Sequence, residues 1–532
     1  MADTYARATV IPQAKGYSEA GASVTKRALK GFDAVSGSPN EDINYNNARL
    51  RQRSRMLYMS SPLATSAIKT NRTHVIGTGL QLKSSIDADA LGLTAETAKA
   101  WQLATESEFA LWAEKKTNCD ATGINNFASM QQLAMTSWLL SGDVFALIKR
   151  RKTTPLNPYS LRLHIIEADR ISTPLSGTSA MIMPIITDGV NLENKNRIYD
   201  GVEVENDGDI RGYWIRNTYP GQIVAPVTEW ARVEAYGAKT GLPNILHIMN
   251  SERPEQYRGV PFLAPIIEVL LQIRRFTESE LVAAVVQSFF TAFIETQTDP
   301  TLIPLNEVGS GDVFAGEISG TLADAGNTPR NPNEYNMGPG TVEHLQPGET
   351  VTLAAPNIPA ASFEMFIKTM SKLVGAALEQ PYDVLVKEFN SSYSAARGAL
   401  LEAWEAFKMY RAWFRDDFCQ PVYELWLSEA VALGRVKAPG FFTDPRVRAA
   451  WSGAQWIGPT QSQLDPVKEA KAAIMQVDRG FKTHEQITRE IGGGDWQQNV
   501  AQLELENNQL REAGGGTYMA ALETETDTEP AE

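Results

Sequence analysis

Residues 266–294 keep apolar side chains at the spacing of an α-helix for longer than a small domain needs. The predicted helix follows Pro261 and continues to about Thr296, so some 35 residues rising about 1.5 Å each would form a rod of roughly 50 Å. Helical spacing returns at residues 360–377 and stops at Gln380, since the residue before a proline disfavours the helical backbone. The stretch between them is rich in turn residues. The pattern predicts two helices around a compact insertion.

A hydroxyl-rich patch follows the second of these helices, in the stretch LVKEFNSSYSAARGALLEAWEAFKMY at residues 385–410. The pattern predicts a loop that runs into a long helix from about Ser394, with a kink before Pro421. A serine nucleophile would need a positioned base, and the elbow pattern G-x-S-x-G is missing from the chain. Asn390-Ser391-Ser392 has the form of a glycosylation acceptor, but the chain opens without the apolar run of a secretory signal. We interpret the patch as solvated.

The first half of the chain combines helical and strand patterns. Helices are predicted at about 94–116 and 127–141, and a break at Ser61-Pro62. Residues 143–250 hold alternating or apolar runs between turn residues, which indicates strands and an α+β, helix-rich fold. The acidic turn at 205–209 lacks the ligand spacing of a calcium-binding EF-hand loop, so a hairpin turn is the better interpretation.

Charge and cysteine content exclude several classes of protein. The 532 residues are 43% hydrophobic, enough for more than one core, and the net charge is -14. An acidic chain is unsuited to wrapping nucleic acid, because neutralising phosphates requires clustered Lys and Arg. The arginines at 49, 51, 53 and 55 form either a nucleic-acid patch or a solvated or interface-facing helix. Cys119 and Cys419 are too few for a disulfide framework and favour a reducing compartment.

Patterns typical of catalytic and cofactor sites are missing. There is no G-x-x-x-x-G-K-[ST] phosphate loop and no H-E-x-x-H zinc motif, and the five histidines share no spacing. The most apolar run, at 281–294, is shorter than the roughly 20 residues that span a bilayer. We therefore predict neither an enzyme, nor a cofactor or metal, nor a membrane partner.

Several stretches in one order resemble the lambda family of tailed-bacteriophage portal proteins, from about residue 44 to about 513. They are NARLRQRSRMLYMSSPLATSAIKTNRTHVIGTG, SWLLSGDVFALI, LHIIEADRIS, YDGVEV with GYWI, RPEQYRGVPFLAPIIEVL, LQPGETV, NSSYSAARGALLEAWEAFKMYR, and WIGP followed by LDPVKEAKAA. The resemblance implies a head-tail connector: a ring, usually of twelve subunits, around a DNA channel. Each subunit of such a ring has wing, stem, clip and crown regions.

The resemblance also implies an order of regions. They are a mobile N-terminal arm at 1–43, a wing at 44–258, a first stem helix at 259–297, a clip at 298–357, a second stem helix at 358–380, a channel (tunnel) loop at 381–393, a long kinked helix with the remaining wing at 394–464, crown helices at 465–513 and an acidic disordered tail at 514–532.

Three groups of residues follow from these regions as candidates. The channel loop would present to DNA Lys387, Glu388, Phe389, Asn390, Ser391, Ser392 and Tyr393. The clip would dock the motor or adaptor proteins through Asn306, Glu307, Asp312, Arg330, Asn333 and Glu334. The helix that anchors the loop would use the small or packing residues Ala395, Ala396, Arg397 and Trp404.

The function implied is a conduit at the unique capsid vertex for packaging and ejecting double-stranded DNA. The implied partners are other copies of the chain, double-stranded viral DNA, the terminase large subunit, major capsid and scaffold proteins, and a head-completion or adaptor protein. The implied location is the virion, after assembly in the host cytoplasm. Two alternatives stay open: another ring-forming virion protein of the tail or baseplate, and an enzyme with an unfamiliar site.

Overall fold

The computed structural model describes residues 23, 26–32, 34–174, 188–191, 194–222, 227–288, 292–296, 349–353, 360–388, 393–461, 466–492 and 494–512. These residues belong to two units. The larger unit comprises Met1–Tyr58, Ile68–Ala264 and Trp404–Glu532, and the smaller comprises Met59–Ala67 and Pro265–Ala403. The first 22 residues, most of the predicted clip and the acidic tail lie outside the described residues.

Two helices open the ordered part of the chain: α1, Pro39–Ser60, and α2, Pro62–Val75. The predicted break at Ser61-Pro62 is confirmed. The helix α1 begins earlier than the predicted arm boundary at 43, because Ser38 and Glu41 form a capping box. The Ser38 N–H donates to the Glu41 carboxylate over 3.0 Å, and the Glu41 N–H donates to Ser38 Oγ over 3.2 Å.

Side-chain caps begin two of the next three helices of the larger unit. The three helices are α3 at Ala95–Ala113, α4 at Lys116–Cys119 and α5 at Phe127–Ser141. Asn126 caps α5 by accepting from the Ser129 N–H over 2.9 Å. Gly142 ends that helix at φ 87°, a left-handed conformation that favours glycine. The predicted helices at 94–116 and 127–141 are confirmed.

Three antiparallel sheets complete the larger unit. One has the order β3-β2-β9, from Leu161–Glu167, Asp143–Arg150 and Ile245–Met249. A second is a meander of β4 Asp188–Val190, β5 Arg197–Tyr199, β6 Val202–Val204, β7 Ile210–Arg216 and β8 Trp230–Glu234. The third pairs β1 Gln81–Ser84 with β12 Ala454–Ile457. The predicted hairpin at 205–209 joins β6 to β7.

The core of the larger unit has two parts. One cluster contains apolar residues from the first two sheets and their connections: Phe145, Ile166, Ile171, Val202, Val204, Tyr213, Ile215, Ala235 and Ile245. The other part is aromatic and surrounds Phe109, whose ring centroid lies 5.1 to 6.2 Å from those of Trp112, Phe127, Tyr423, Trp426 and Trp456. These separations are typical of favourable aromatic pairs.

The C-terminal part of the larger unit is mostly helical. The helices are α9 Tyr393–Phe414, whose first turns belong to the smaller unit, α10 Gln420–Ala432, α11 Pro445–Trp451, α12 Pro466–Asp478, α13 His484–Gly492 and α14 Trp496–Glu512. A π-helical turn at Arg415–Cys419 separates α9 from α10. It lies where the sequence predicts a kink before Pro421, since proline cannot donate to the helical ladder.

The smaller unit contains the predicted stem helices. Its elements are α6 Ile267–Ser288, β10 Ala292–Thr296, β11 Glu349–Leu353, α7 Ala360–Ala377 and α8 Tyr382–Val386. The helices α6 and α7 pack through Phe276, whose ring lies 4.3 Å from Phe366 and 5.7 Å from Phe363.

Three boundary predictions in the smaller unit are wrong. The first stem helix ends at Ser288 rather than near 297, because β-branched and aromatic residues of β10 pair antiparallel with β11. The second ends at Ala377 rather than 380, where Glu379 adopts a left-handed φ of 53°. Residues 382–386 of the predicted loop form the helix α8.

The π-helical turn carries a carboxyl group with a shifted pKa. Burial raises the pKa of Asp417 to about 6, a backbone hydrogen bond from Met249 lowers it, and the charge of Asp416 adds to the rise. The pKa of an aspartate in the unfolded chain is about 3.9, which is lower than in the folded state. Ionisation of Asp417 therefore makes the folded state less stable as pH rises from about 4 to about 6.

We therefore expect Asp417→Asn to raise the free energy of unfolding at pH 8 relative to the unsubstituted protein, with the gain shrinking toward zero at pH 4. Urea unfolding at both pH values measures this difference. The control Asp416→Asn changes an exposed neighbour and should alter stability by less than about 0.5 kcal/mol at either pH. An equal gain at both pH values for Asp417→Asn would contradict the assignment.

Candidate channel segment and buried charge network

The turn between α7 and α8 is held by close backbone contacts. The Gln380 N–H donates to the Gly375 carbonyl over 2.9 Å. A Cβ on Gly375 would lie 2.3 Å from the Gln380 carbonyl oxygen, so the turn requires glycine at this helical position. The buried Gln380 amide also donates to the Ala67 carbonyl over 3.0 Å. These contacts fix the backbone directly before the candidate channel segment, residues 381–393.

The helix α8 is anchored by its apolar side. Val384 and Leu385 are buried, and Ser66 Oγ donates to the Leu385 carbonyl over 2.7 Å. The helix ends at Val386, and the next residue, Lys387, has a left-handed backbone with φ 62° and ψ 38°. A non-glycine residue rarely adopts this conformation, so the chain direction here is set by the surrounding contacts.

The two described residues that follow α8 carry charge. Lys387 is exposed, and the half-buried Glu388 accepts a hydrogen bond from the Tyr382 hydroxyl over 2.8 Å. The Lys368 ammonium lies 5.7 Å from the centroid of the Tyr382 ring. Burial, together with the Glu388 carboxylate, raises the pKa of the Tyr382 phenol. Cation, carboxylate and phenol thus lie together at the end of the described part of this segment.

The structure locates only some of the candidate residues. Tyr393 begins α9, whereas Phe389, Asn390, Ser391 and Ser392 lie outside the described residues. All six clip candidates also lie outside them: Asn306, Glu307, Asp312, Arg330, Asn333 and Glu334. Lys387 and Glu388 are the two channel candidates whose side chains are described.

The predicted anchoring helix is α9. Ala395 is exposed, Ala396 and Arg397 are half-buried, and nothing in the described chain lies within 4 Å of a Cβ added at Gly398. Trp404, by contrast, is buried.

Trp404 packs within the core of the larger unit. Its ring lies 5.7 Å from the ring of His74, and the Arg411 guanidinium lies 5.6 Å from its centroid. It also borders a cleft of about 410 Å³. Trp404 therefore fixes the later half of α9 within the larger unit.

One buried polar cluster was missed by the sequence analysis. It is a charge network of Arg51, Arg55, Asp143, Asp169, Asp200 and Arg258 within the larger unit. The fully buried Arg258 lies at its centre: its Nε is 2.6 Å from Asp143 Oδ2 and its Nη1 is 2.8 Å from Asp200 Oδ2. Its Nη2 also donates to the Ala168 carbonyl over 3.0 Å. Such complete pairing is what a buried charge requires.

Two arginines of α1 extend this network. Arg51 is 3% exposed and lies 3.0 Å from Asp169 and 3.2 Å from Asp200. Arg55 pairs with Asp169 and donates to Ser141 Oγ over 3.0 Å. Neither interpretation of the arginine run holds for these two residues, whereas Arg49 and Arg53 are exposed. The acidic partners lie more than 100 residues away in sequence, so no local pattern could have shown the pairing.

Close packing of the backbone gives the network its geometry. A Cβ at Gly259 would lie 1.9 Å from the Gly142 carbonyl oxygen. The two glycines thus let the chain after Arg258 lie directly against the start of β2, where Asp143 accepts from the Gly259 N–H over 3.1 Å. The two ends of the Arg258–Asp143 ion pair are fixed by this contact.

The pairing shifts the titration of its members. Burial alone would raise the pKa of Asp143, but the Arg258 guanidinium and His247 hold it well below its ordinary value. Burial lowers the pKa of His247, whose ring stacks on Phe145 at 4.2 Å. Asp143 is therefore ionised and His247 neutral near pH 7, which leaves Arg258 as the cation that compensates the carboxylate.

No group of His, Cys, Asp and Glu in the described ranges is arranged to hold a metal ion. Likewise, none of the described helices has the length and hydropathy to cross a membrane.

Comparison with known families decides the identity of the chain. The model of the family described as "Phage portal protein, lambda family" matches residues 25–411. The chain belongs to this family.

Individual portal proteins match over most of their length. Portal protein B of Escherichia phage lambda is 23% identical over 496 residues, covering 91% of this chain and 88% of that protein. The portal protein of Escherichia phage N15 is 22% identical and covers 91% and 89%, respectively. Among solved structures, the neck of a native GTA particle computed with C12 symmetry covers 84% of this chain and 93% of its own, at 12% identity and a TM-score of 0.41.

The portal family match includes every member of the charge network. We expect Arg258→Met to destabilise the folded subunit by about 3–5 kcal/mol, because it leaves Asp143 buried without its arginine and Asp200 with only one of its two. The control Arg253→Met changes an arginine five residues before Arg258. It removes only an exposed ion pair with Asp42 and should cost less than about 1 kcal/mol. Urea unfolding of both variants at one protein concentration measures the difference. Similar losses in the two variants would contradict a central role for Arg258.

Proposed function

We propose that this chain is the subunit of a phage portal ring, which sits at one vertex of the capsid and conducts double-stranded DNA during packaging and ejection. The observation that carries the proposal is the family match over residues 25–411. The proposed location is the virion, reached after assembly in the host cytoplasm. We assign the chain no reaction of its own.

Exposed apolar side chains on the stem helices support assembly into a ring. Leu281 on α6 is 65% exposed, and Met365 and Leu373 on α7 are 71% and 56% exposed. Apolar groups that cluster on helices of a soluble subunit mark surfaces that bind another protein. Copies of the same chain, twelve in the proposed ring, would cover these surfaces.

The proposed channel lining is residues 382–393, with Lys387, Glu388, Phe389, Asn390, Ser391, Ser392 and Tyr393 facing DNA. Its support is the position of the segment between α7 and α9 and its mixed composition of one cation, two carboxylates and uncharged polar groups. The net charge of -14 per chain adds a repulsive field toward phosphates. DNA would therefore pass with few tight contacts.

The proposed clip, residues 298–357, would dock the terminase large subunit during packaging and a head-completion or adaptor protein afterwards. Candidate contacts stay those predicted from the sequence: Asn306, Glu307, Asp312, Arg330, Asn333 and Glu334. The wing and crown would meet capsid and scaffold proteins. Because the chain has no phosphate loop, the motor would be the separate ATPase.

Charging the exposed stem surface tests the ring. Leu281→Asp should prevent ring assembly, because it places a carboxylate in an apolar interface between copies, while the isolated subunit stays folded. The control Ser279→Asp adds the same charge to an exposed position of the same helix and should leave rings intact. Mass photometry of both purified variants gives the assembly state, and the DNA content of virus heads made with each gives the function.

We expect Leu281→Asp to yield subunits and heads without DNA, and Ser279→Asp to yield rings and filled heads. Normal rings and filled heads from Leu281→Asp would contradict the proposed stem interface.

A further inference from the structure

The last described helix, α14, exposes its apolar side chains. Every residue from Gln497 to Glu512 is exposed, including Val500 at 41%, Leu503 at 51% and Leu510 at 59%. Within the described chain, only the first residue of the helix is engaged by an aromatic neighbour: the Trp496 ring stacks on His484 at 4.4 Å. A helix this exposed gains little from packing, so its apolar residues need another explanation.

Spacing along α14 identifies the kind of surface. Trp496, Val500, Leu503, Asn507 and Leu510 are separated by alternating steps of four and three residues. This is the heptad pattern of a coiled coil, with Val500 and Asn507 at position a and the other three at position d. A β-branched residue at a with leucine at d favours two strands, and a single asparagine at a fixes the register.

We propose that α14 pairs in parallel with α14 of a second copy of this chain, as a short two-stranded coiled coil. The inference rests on the proposed ring, which brings the copies together. The partner is the chain itself, because the pattern is self-complementary when two copies lie side by side in the same direction.

Asn507 sets the orientation. In a parallel pair the two Asn507 side chains face each other, so each amide can donate to the other's carbonyl oxygen. In an antiparallel pair, position a faces position d, and Asn507 would lie against tryptophan or leucine with its amide unsatisfied. A buried amide without a partner is costly, so the parallel arrangement is favoured.

Flanking charges support the same orientation. Glu506 occupies position g and Arg511 the following position e, the two positions that meet between strands of a parallel coiled coil. Two copies would therefore form two Glu506–Arg511 pairs, one on each side of the seam. Within its own chain, Glu506 accepts from the Gln502 amide over 2.8 Å, which leaves the carboxylate free to take a second donor.

The length of α14 limits where pairing can occur. Seventeen residues give a rod of about 25 Å, too short for a stable coiled coil between free subunits. In a ring, neighbouring copies are tethered, and the high effective concentration offsets the weak affinity. A two-stranded seam joins subunits two by two, so the α14 layer would have half the rotational symmetry of the rest of the ring.

Cysteine cross-linking tests the pairing in the assembled protein. Leu503 and Leu505 are both 51% exposed, but only Leu503 lies on the heptad seam, and Leu505 faces away from it. The native Cys119 and Cys419 are free and buried, so they contribute little background. Purified rings of Leu503→Cys and of Leu505→Cys are treated with copper-phenanthroline, which oxidises two thiols to a disulfide, and are separated on a non-reducing gel.

We expect Leu503→Cys to form about tenfold more cross-linked dimer than Leu505→Cys, because only seam positions bring the two Cα atoms within disulfide reach. The products should stop at the dimer. Equal yields from the two variants would overturn the pairing, and a ladder of trimers and larger species would overturn the two-stranded form.

Mass photometry of the same samples shows whether rings have formed, which distinguishes a failure of pairing from a failure of assembly. Rings without selective cross-linking refute only the pairing, whereas subunits that never assemble contradict the proposed function and leave no second copy for α14.

A charge exchange tests the orientation. In the Leu503→Cys background, Glu506→Lys should reduce the dimer yield by placing two cations together, and adding Arg511→Glu should restore it. Failure of the second change to restore the yield would contradict the parallel arrangement.

Discussion

The buried ion pair between Arg258 and Asp143 is the interaction on which the larger unit depends most. It joins the start of β2 to the chain that precedes the predicted first stem helix, and through Asp200 and Asp169 it reaches the meander and α1. A charge so fully buried is tolerable only because each donor of Arg258 has an acceptor. The geometry leaves no room for a side chain at Gly142 or Gly259, so the network and the backbone packing specify each other.

Local features of the fold were predictable from the sequence, and long-range ones were not. The ends of α3 and α5 follow from caps and a terminal glycine, and the hairpin at 205–209 follows from its turn residues. The apolar pattern predicts helix where β10 lies, because the partner strand β11 begins 53 residues after β10 ends. It predicts loop where α8 lies, because five residues show no periodicity. The arginine run predicts surface charges at Arg51 and Arg55, because their acidic partners come from turns distant in sequence.

The candidate functional features also separate into those that the sequence predicts and those that depend on long-range arrangement. Family membership follows from many short stretches in one order, a property that the sequence displays directly. The chemistry of the channel segment does not follow from the sequence, because whether Lys387 or Glu388 contacts DNA depends on how the copies are arranged around an axis. Exposed apolar residues lie on α6, α7 and α14. In the proposed ring, stem contacts would close the assembly and α14 would add a local pairing.

Electron cryo-microscopy of the purified wild-type protein tests the central claim most directly, because the claim concerns an arrangement of copies rather than the structure of one. We expect a closed ring with an open axial channel that can admit a DNA duplex and that is lined by residues 382–393. A persistent monomer, a closed axis, or a ring with those residues on its outer rim would contradict it.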